Sequence, residues 1–140
     1  MVSLETGMLF RSNPRPNALG IDESVDTAVH ALTEYSRVLK ESGSKLVVIP
    51  VPEKETVYSD WIPERYDPEP DVTRFLETLA PALREAGVAT VDLLRVYSDQ
   101  RRADDRLLYQ LDDTHWTEHG VKVAVEAFLA EVGRVSGPSK

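Results

Sequence analysis

The feature that most constrains the fold is a short apolar segment, residues 46–51, in which every residue except Pro50 is Leu, Val or Ile. A run without polar alternation is typical of a strand buried on both faces, as in parallel sheets covered by helices. Residues 24–41 show helical periodicity that ends at Gly43, which supplies one covering helix. The run is far shorter than the roughly 18 residues that a membrane-spanning helix needs. We therefore predict an α/β fold with a parallel strand over residues 45–52 and no membrane span.

The rest of the chain continues this alternation of helices and strands. Asp22 or Ser24 is the predicted cap of the first helix, and Pro81 predicts a kink or a break in the second. Only two strong strands are recognisable, whereas an ordinary sheet has about 4–6, so we expect an incomplete sheet. The other predicted segments are irregular ends over residues 1–23 and 134–140, a long loop over 53–70, a helix from the cap Asp71 to Gly87, a strand over 88–93, a helix over 94–103, a short strand over 106–109 and a last helix that Thr117 caps.

Composition narrows the class of protein further. The 140 residues carry 16 Lys and Arg against 24 Asp and Glu, a formal charge of −8, and they include no cysteine. An acidic chain is a poor ligand for nucleic acid or for an anionic membrane surface, so neither is expected as a partner. Without cysteine there is no disulfide, thiolate nucleophile or zinc–sulfur site. The most charged stretch, residues 99–106, alternates arginine with aspartate and predicts a solvated surface whose charges pair with one another.

The segment with the most chemistry runs from Tyr109 to Gly120. Asp113 and His115 lie two residues apart, and in an extended segment such side chains point the same way. The carboxylate can then accept the Nδ1 proton of the imidazole and leave Nε2 free as a base toward a hydroxyl. Trp116 is placed to form a wall of such a site, and Tyr109 is placed to buttress His115.

Two other interpretations of this segment stay open. Asp112, Asp113 and Thr117 are also typical of a loop that leads into a helix cap, with His115 as an ordinary exposed histidine. His115 and His119 lie four residues apart with two aspartates upstream, which is a possible metal-binding spacing. However, the pattern places no third strong ligand, and we predict no metal.

Three segments together resemble one known family. Residues 113–120, Asp-Thr-His-Trp-Thr-Glu-His-Gly, resemble an Asp-Thr-His-Trp-(Thr/Asn)-Pro-x-Gly signature. Residues 47–58 resemble a strand followed by Pro-Asp-Lys-x-x-x-Tyr, and residues 7–10, Gly-Met-Leu-Phe, weakly resemble a Gly-Trp-Leu-Phe near the start of the same domain. The family is that of the alginate O-acetyltransferases of the AlgJ/AlgX type, which are SGNH-hydrolase-like proteins. The resemblance covers nearly the whole chain and implies a three-layer, SGNH/flavodoxin-like α/β fold with a mostly parallel, incomplete sheet.

The resemblance also implies an acyl-transfer site with a Ser–His–Asp triad. Carried over, Asp113 orients the imidazole, His115 is the general base, and a serine passes an acetyl group to a polysaccharide hydroxyl. In the family this serine lies in a later Gly-(Asp/Thr)-Ser segment, which does not occur in these 140 residues. We expect residues 1–140 to be one domain, the N-terminal part of the catalytic domain, and inactive alone. The resemblance implies a periplasmic or extracellular location, although residues 1–10 do not have the pattern of a signal peptide. It implies no cofactor.

Four residues are predicted to contact the substrate, which is a polysaccharide or an acetyl donor. Lys54 either binds an acidic sugar or is an ordinary surface lysine, and Tyr58 either stacks on a sugar ring or packs its loop down. Trp116 and Tyr109 are the other two. The alternative function is a non-catalytic carbohydrate-binding or assembly module of the same fold. An incomplete sheet leaves an exposed edge, which a C-terminal segment or a second copy of the chain would cover.

Overall fold

The structure is a computed structural model that describes residues 2–3, 8–10, 20–62 and 70–137. In chain order the elements are β1 (Val2–Ser3), β2 (Leu9–Phe10), α1 (Ile21–Glu41), β3 (Val47–Val48), α2 (Lys54–Val57), a 3-10 turn (Ser59–Trp61), α3 (Pro70–Glu85), β4 (Ala89–Thr90), α4 (Leu93–Ala103) and α5 (Glu118–Ser136). β1 pairs with β2 antiparallel and β3 with β4 parallel, which confirms the predicted α/β class. No helix in these ranges is long and apolar enough to cross a membrane.

The parallel sheet is shorter than the sequence predicts. Val47 lies opposite Ala89 in the register of β3 and β4, and the Val91 amide extends the pairing by donating to the Val48 carbonyl at 2.9 Å. The two prolines that follow β3 have no N–H to continue a ladder. Both predicted strands are therefore right in type and too long.

The first helix, α1, begins without a side-chain cap. Gly20 is the N-cap residue, and the Ser24 hydroxyl donates to its carbonyl at 2.9 Å. Asp22 lies in the first turn, where a negative charge stabilises the helix dipole. The prediction that Asp22 or Ser24 caps the helix is therefore wrong, and residues 21–23 are helical rather than irregular. At the other end Gly43 has a φ of +80°, which ends the helix as predicted.

The third helix, α3, runs unbroken through Pro81, so the predicted break is wrong. Leu79 and Leu83 flank the proline and are both buried. Their packing against α1 and the sheet stabilises a helix that has lost one backbone hydrogen bond at the proline. The helix begins at Pro70, so Asp71 is its second residue and not its cap.

The two C-terminal helices each have a side-chain cap. Asp92 accepts a hydrogen bond from the Arg95 amide at 3.1 Å at the start of α4, and Thr117 accepts one from the Gly120 amide at 3.0 Å at the start of α5. The predicted Thr117 cap and the predicted helix before residue 104 are both confirmed. α5 also includes residues 134–136, for which an irregular end was wrongly predicted.

Two predictions about connecting segments are wrong. The described part of the predicted loop over residues 53–70 contains α2 and the 3-10 turn. The predicted strand over residues 106–109 is reduced to a single bridge, in which Tyr109 pairs antiparallel with Trp116. The Asp104 carboxylate accepts from the Arg106 amide at 2.8 Å, and the backbone bends at residues 106 and 108, so this segment is not extended throughout as a strand needs.

The interior has two parts of different chemistry. The aliphatic core lies between α1, α3 and the parallel sheet, and the aromatic core lies between α2, α4, α5 and the segment before α5. The aromatic rings of the second core meet edge to face or tilted, with centroids 4.8–6.4 Å apart. The buried residues that define the aliphatic core are Leu79, Leu83 and Val88; those that define the aromatic core are Tyr58, Tyr97 and Tyr109, with Trp116 packed against them.

Candidate active site

The candidate site is a loop, residues 110–115, that begins and ends on the aromatic core. Tyr109 and Trp116 form the bridge at its base, and the Gln110 amide donates to the His115 carbonyl at 2.9 Å. All residues of this loop are exposed, whereas Tyr109 is buried and Trp116 is half-buried. These six residues, the site loop, therefore form an exposed polar loop whose two ends are anchored by aromatic side chains of the core.

The start of α5 is pressed against the backbone just before the site loop. The Thr117 amide donates to the Leu108 carbonyl at 2.9 Å, and the Tyr97 hydroxyl donates to the Gly120 carbonyl at 2.9 Å. A Cβ atom at position 120 would lie 2.1 Å from the Leu108 carbonyl oxygen, so only glycine fits there. The glycine that ends the motif therefore lets α5 pack closely against the backbone from which the site loop begins.

Asp113 and His115 are in contact. The Asp113 Oδ1 and His115 Nδ1 atoms are 2.7 Å apart, and the same carboxylate accepts the backbone N–H of His115. Because an ionised carboxylate only accepts, the neutral imidazole carries its proton on Nδ1 and has its lone pair on Nε2. The hydrogen bonds from the His115 backbone and then from its ring hold the pKa of Asp113 below its ordinary value. The imidazole is 84% exposed, so a reacting hydroxyl has access to it.

His115 lines a cleft of about 570 Å³. Tyr109 and Trp116 form part of its wall, and the exposed apolar side chains of Val51 and Val121 also line it. The cleft lies where the chain leaves the carboxyl end of β3. Open parallel sheets bind ligands at this edge, so the exposed imidazole lies where the fold favours a binding site.

The sequence matches the family described as "SGNH hydrolase-like domain, acetyltransferase AlgX" over residues 5–139. The chain belongs to this family. The predicted resemblance to AlgJ/AlgX-type proteins and the predicted SGNH-hydrolase-like fold are therefore confirmed. No curated protein matches the chain.

One solved structure shows the same fold. The O-acetyltransferase domain of Pseudomonas putida AlgJ superposes on this AlgX-family chain with a TM-score of 0.69 at 24% sequence identity. The match covers 90% of this chain and 44% of the AlgJ chain. The AlgX-family chain therefore spans less than half the length of that structure.

Lys54 of the AlgX-family chain lies beneath the site loop. Its side chain is 1% exposed, and Nζ donates to the carbonyls of Gln110, Leu111 and Asp113 at 2.6, 3.0 and 2.9 Å. Burial lowers the pKa of the amine, while nearby carboxylates, Glu55 foremost, oppose that shift. The alternative that Lys54 is an ordinary surface lysine is therefore wrong. The sequence predicted that its amine contacts the substrate, whereas in this structure the amine donates to backbone carbonyls.

Tyr58 is also placed differently from the predicted sugar contact. Its ring is 1% exposed, and its hydroxyl accepts from the Leu108 amide at 2.9 Å. The Arg101 guanidinium covers the ring, 4.3 Å from its centroid. A ring enclosed in this way has no free face for a sugar, so the structure matches the packing alternative. The reason is that Tyr58 directly follows α2, all four residues of which are buried.

Tyr109 and Trp116 lie beside His115 at the cleft, as the sequence predicts. The Tyr109 hydroxyl donates to the Pro52 carbonyl, and the rings of Tyr109 and Trp116 meet edge to face with centroids 6.4 Å apart. Burial raises the pKa of Tyr109 to about 12, so its hydroxyl stays protonated and acts as a donor. Trp116 presents the more accessible of the two rings to the cleft.

The metal-binding interpretation finds no support. Both ring nitrogens of His119 are buried without a hydrogen-bond partner, whereas the His115 ring is exposed and bonded to Asp113. Within the described ranges no three His, Asp or Glu side chains are grouped as a metal ion would require.

Sequence reasoning missed two supports of the site. Arg101 was predicted to pair within its own charged stretch, but it binds Asp60 at 2.6 Å instead, and this contact lowers the pKa of Asp60. The other arginines of that stretch do pair locally, as predicted. Near the start of the chain, the Leu9 amide donates to the Leu111 carbonyl at 2.6 Å, and Met8 is buried in the aromatic core. The Gly-Met-Leu-Phe resemblance was the signal for this second contact.

Proposed function

We propose that the chain is the Asp/His-bearing part of a bacterial polysaccharide O-acetyltransferase. The observation that carries the proposal is the 2.7 Å contact between Asp113 Oδ1 and Nδ1 of an imidazole that is 84% exposed at a cleft. Membership of the acetyltransferase AlgX family supports acetyl transfer as the reaction. The contact supplies a base of fixed tautomer, which is what activation of a hydroxyl requires.

The proposed reaction has two steps. A serine hydroxyl attacks the carbonyl carbon of an acetyl donor while His115 Nε2 takes its proton, and the donor leaves with that proton. A polysaccharide hydroxyl then attacks the acetyl-serine, His115 again takes the proton, and the serine is released with it. Asp113 holds the ring and stabilises the imidazolium in both steps.

The serine is proposed to come from a segment other than residues 1–140, because they contain no Gly-Asp-Ser or Gly-Thr-Ser. The apolar residues Val51 and Val121 flank the cleft, and exposed apolar side chains continue along α5 at Val125 and Leu129. Residues four apart lie on one side of a helix, so these three α5 residues form a continuous stripe. We propose that the serine-bearing segment packs against this stripe beside His115.

The proposed acceptor is alginate or a related acidic exopolysaccharide, and the proposed location is outside the cytoplasm. The alternative is a non-catalytic carbohydrate-binding or assembly module, which the accessible Trp116 ring in the cleft would also serve. Binding of an acidic oligosaccharide that is lost in Trp116→Ala and unaffected by His115→Ala, together with unchanged acetylation, would favour the alternative.

The decisive experiment replaces His115 by alanine in the bacterium that produces the protein and measures the O-acetyl content of its exopolysaccharide. We expect the acetyl content to fall to the level of a deletion strain with the amount of polymer unchanged. His30→Ala, which changes an exposed histidine on α1, is the matched control and should leave acetylation intact. Normal acetylation in the His115→Ala strain would disprove the proposal.

A second experiment tests the source of the serine. The purified 140-residue chain is incubated with p-nitrophenyl acetate, and its rate is compared with those of Asp113→Ala, His115→Ala and His30→Ala. We expect no turnover that depends on both Asp113 and His115. Turnover that disappears in these two variants and persists in His30→Ala would show that the nucleophile lies within residues 1–140.

A further inference from the structure

We infer that Lys54 is a positioning residue, which holds the site loop from below and so sets the contact between Asp113 and His115. Its ammonium group donates to three carbonyls of the loop, those of Gln110, Leu111 and Asp113, at 2.6–3.0 Å. That Lys54 positions the loop is argued from geometry alone. That this positioning matters for catalysis rests on the proposed function.

The stoichiometry of the contact favours positioning over substrate binding. A lysine ammonium has three N–H donors, and three loop carbonyls within 3.0 Å accept them. The side chain is 1% exposed, so an incoming acidic sugar has no access to the charge in this arrangement. A buried charge costs free energy unless it is paired or hydrogen-bonded, and the three carbonyls supply such hydrogen bonds.

The loop in turn depends on the cation. Three carbonyl oxygens that converge on one point repel one another unless a donor lies between them. The loop side chains are exposed and contribute little packing, while the amine contacts the carbonyls of Gln110, Leu111 and Asp113. Removing the ammonium should therefore let residues 110–113 move apart, and the carboxylate of Asp113 should leave Nδ1.

The test compares Lys54→Met with Lys122→Met in the full chain. Methionine approximates the length of lysine without its charge, and Lys122 is an exposed lysine of α5, so the control removes the same charge without touching the loop. The readout is the tautomer of His115, measured from the ¹⁵N shifts of its two ring nitrogens. In the unsubstituted chain and in Lys122→Met we expect the single Nδ1–H form, because Asp113 fixes it.

In Lys54→Met we expect both tautomers of His115 to be populated, with the helical circular dichroism unchanged. A single Nδ1–H tautomer in a folded Lys54→Met chain would overturn the inference. If that variant does not fold, the unsubstituted chain still decides the question. Its Lys54 ammonium protons should exchange slowly and show couplings to the carbonyl carbons of residues 110, 111 and 113, and rapid exchange without such couplings would also overturn it.

The two proposals fail in different ways. Normal polymer acetylation in the His115→Ala strain disproves the proposed function and leaves the tautomer measurement meaningful. If acetylation requires His115, Lys54→Met should lower the rate of acetyl transfer by about 100-fold in a preparation that also contains the serine-bearing segment, since misplacing a catalytic group by about 1 Å can cost that much. In that preparation, a higher KM with an unchanged kcat would instead assign Lys54 to substrate binding and overturn the inference.

Discussion

The two cores of the molecule are built on different principles. The aliphatic core joins α1, α3 and the sheet through Leu and Val side chains that have no polar atoms. In the aromatic core, the buried tyrosine hydroxyls bond to the backbone at Pro52, Leu108 and Gly120, and a buried lysine bonds to three further carbonyls. The first core requires apolar volume, whereas the second requires particular atoms at particular places.

The two cores differ in how accurately they can position a neighbouring loop. Apolar packing is non-directional and tolerates exchange of side chains of similar volume. Hydrogen bonds are directional, and a buried partner left without its bond costs free energy. The site loop is mounted on the second core, so its position is set by directional contacts. Four substitutions test whether the two cores differ in this way, and the expected effects decrease from Gly120→Ala through Leu83→Ala and Tyr109→Phe to His115→Ala.

The largest effect is expected from Gly120→Ala. The new methyl group would lie 2.1 Å from the Leu108 carbonyl oxygen, and α5 must move away from the segment before the site loop. We expect a loss of more than about 4 kcal/mol in the free energy of unfolding, in the range of exceptional substitutions. Urea denaturation measures it. Gly133→Ala in the same helix meets no atom within 4 Å and should be neutral or stabilising by about 1 kcal/mol; equal effects of the two would refute the close approach.

In the aliphatic core, Leu83→Ala should lower the free energy of unfolding by about 3 kcal/mol, because it opens a cavity at a fully buried position. Leu83→Met keeps most of the volume and should cost less than about 1.5 kcal/mol. Urea denaturation of both variants checks the values. If the methionine variant proved as unstable as the alanine variant, this core would also depend on exact shape and the contrast would fail.

Tyr109→Phe applies a volume-conserving change to the aromatic core. It removes one oxygen and leaves the Pro52 carbonyl without its donor. We expect a loss of about 1–3 kcal/mol in the free energy of unfolding, the cost of an unsatisfied buried polar group. Tyr35→Phe, at an exposed position of α1, is the control and should have no effect. Equal stability of Tyr109→Phe and the unsubstituted chain would contradict the contrast.

The smallest effect concerns the Asp113 carboxyl. Its pKa is below the ordinary value, first because of the His115 backbone N–H and second because of the ring. The contact therefore stabilises the fold above the ordinary pKa of about 3.9 and is lost as the pH falls through the lower folded-state pKa. His115→Ala keeps the backbone N–H, so the pKa should rise only part of the way, as a ¹³C titration of the carboxyl would show. An unchanged pKa would mean that the ring contact is absent in solution.

Much of the fold was predictable because its causes are local. The aliphatic run before Pro50 predicted the parallel strand, and the helical periodicity of residues 24–41 predicted α1. The polar residue before the last apolar stripe predicted the Thr117 cap. The strands were overestimated because an apolar run shows burial and does not show how many residues find a pairing partner.

The central contact of the site was predictable for the same reason. Asp113 and His115 are two residues apart, so their contact is local, although the backbone is bent there and not extended as the sequence analysis assumed. The Asp113 carboxylate closes this turn by also accepting the His115 backbone N–H. The charged stretch around Arg102 was predictable in part, because its ion pairs lie within three residues. Arg101 does not pair within the stretch, because folding brings Asp60, 41 residues away in the chain, next to it.

The amino-acid order alone thus determined the α/β class, the main helices and the pairing of one carboxylate with one imidazole. The folded chain was needed to show that Lys54 bonds to the site loop, that Tyr58 is enclosed and that Gly120 must lack a side chain. The physical reason is the separation along the chain, because Lys54 and its three carbonyl partners are 56–59 residues apart. Periodicity and spacing describe neighbours in the chain, whereas contacts of this kind exist only after α2, α4 and α5 have packed.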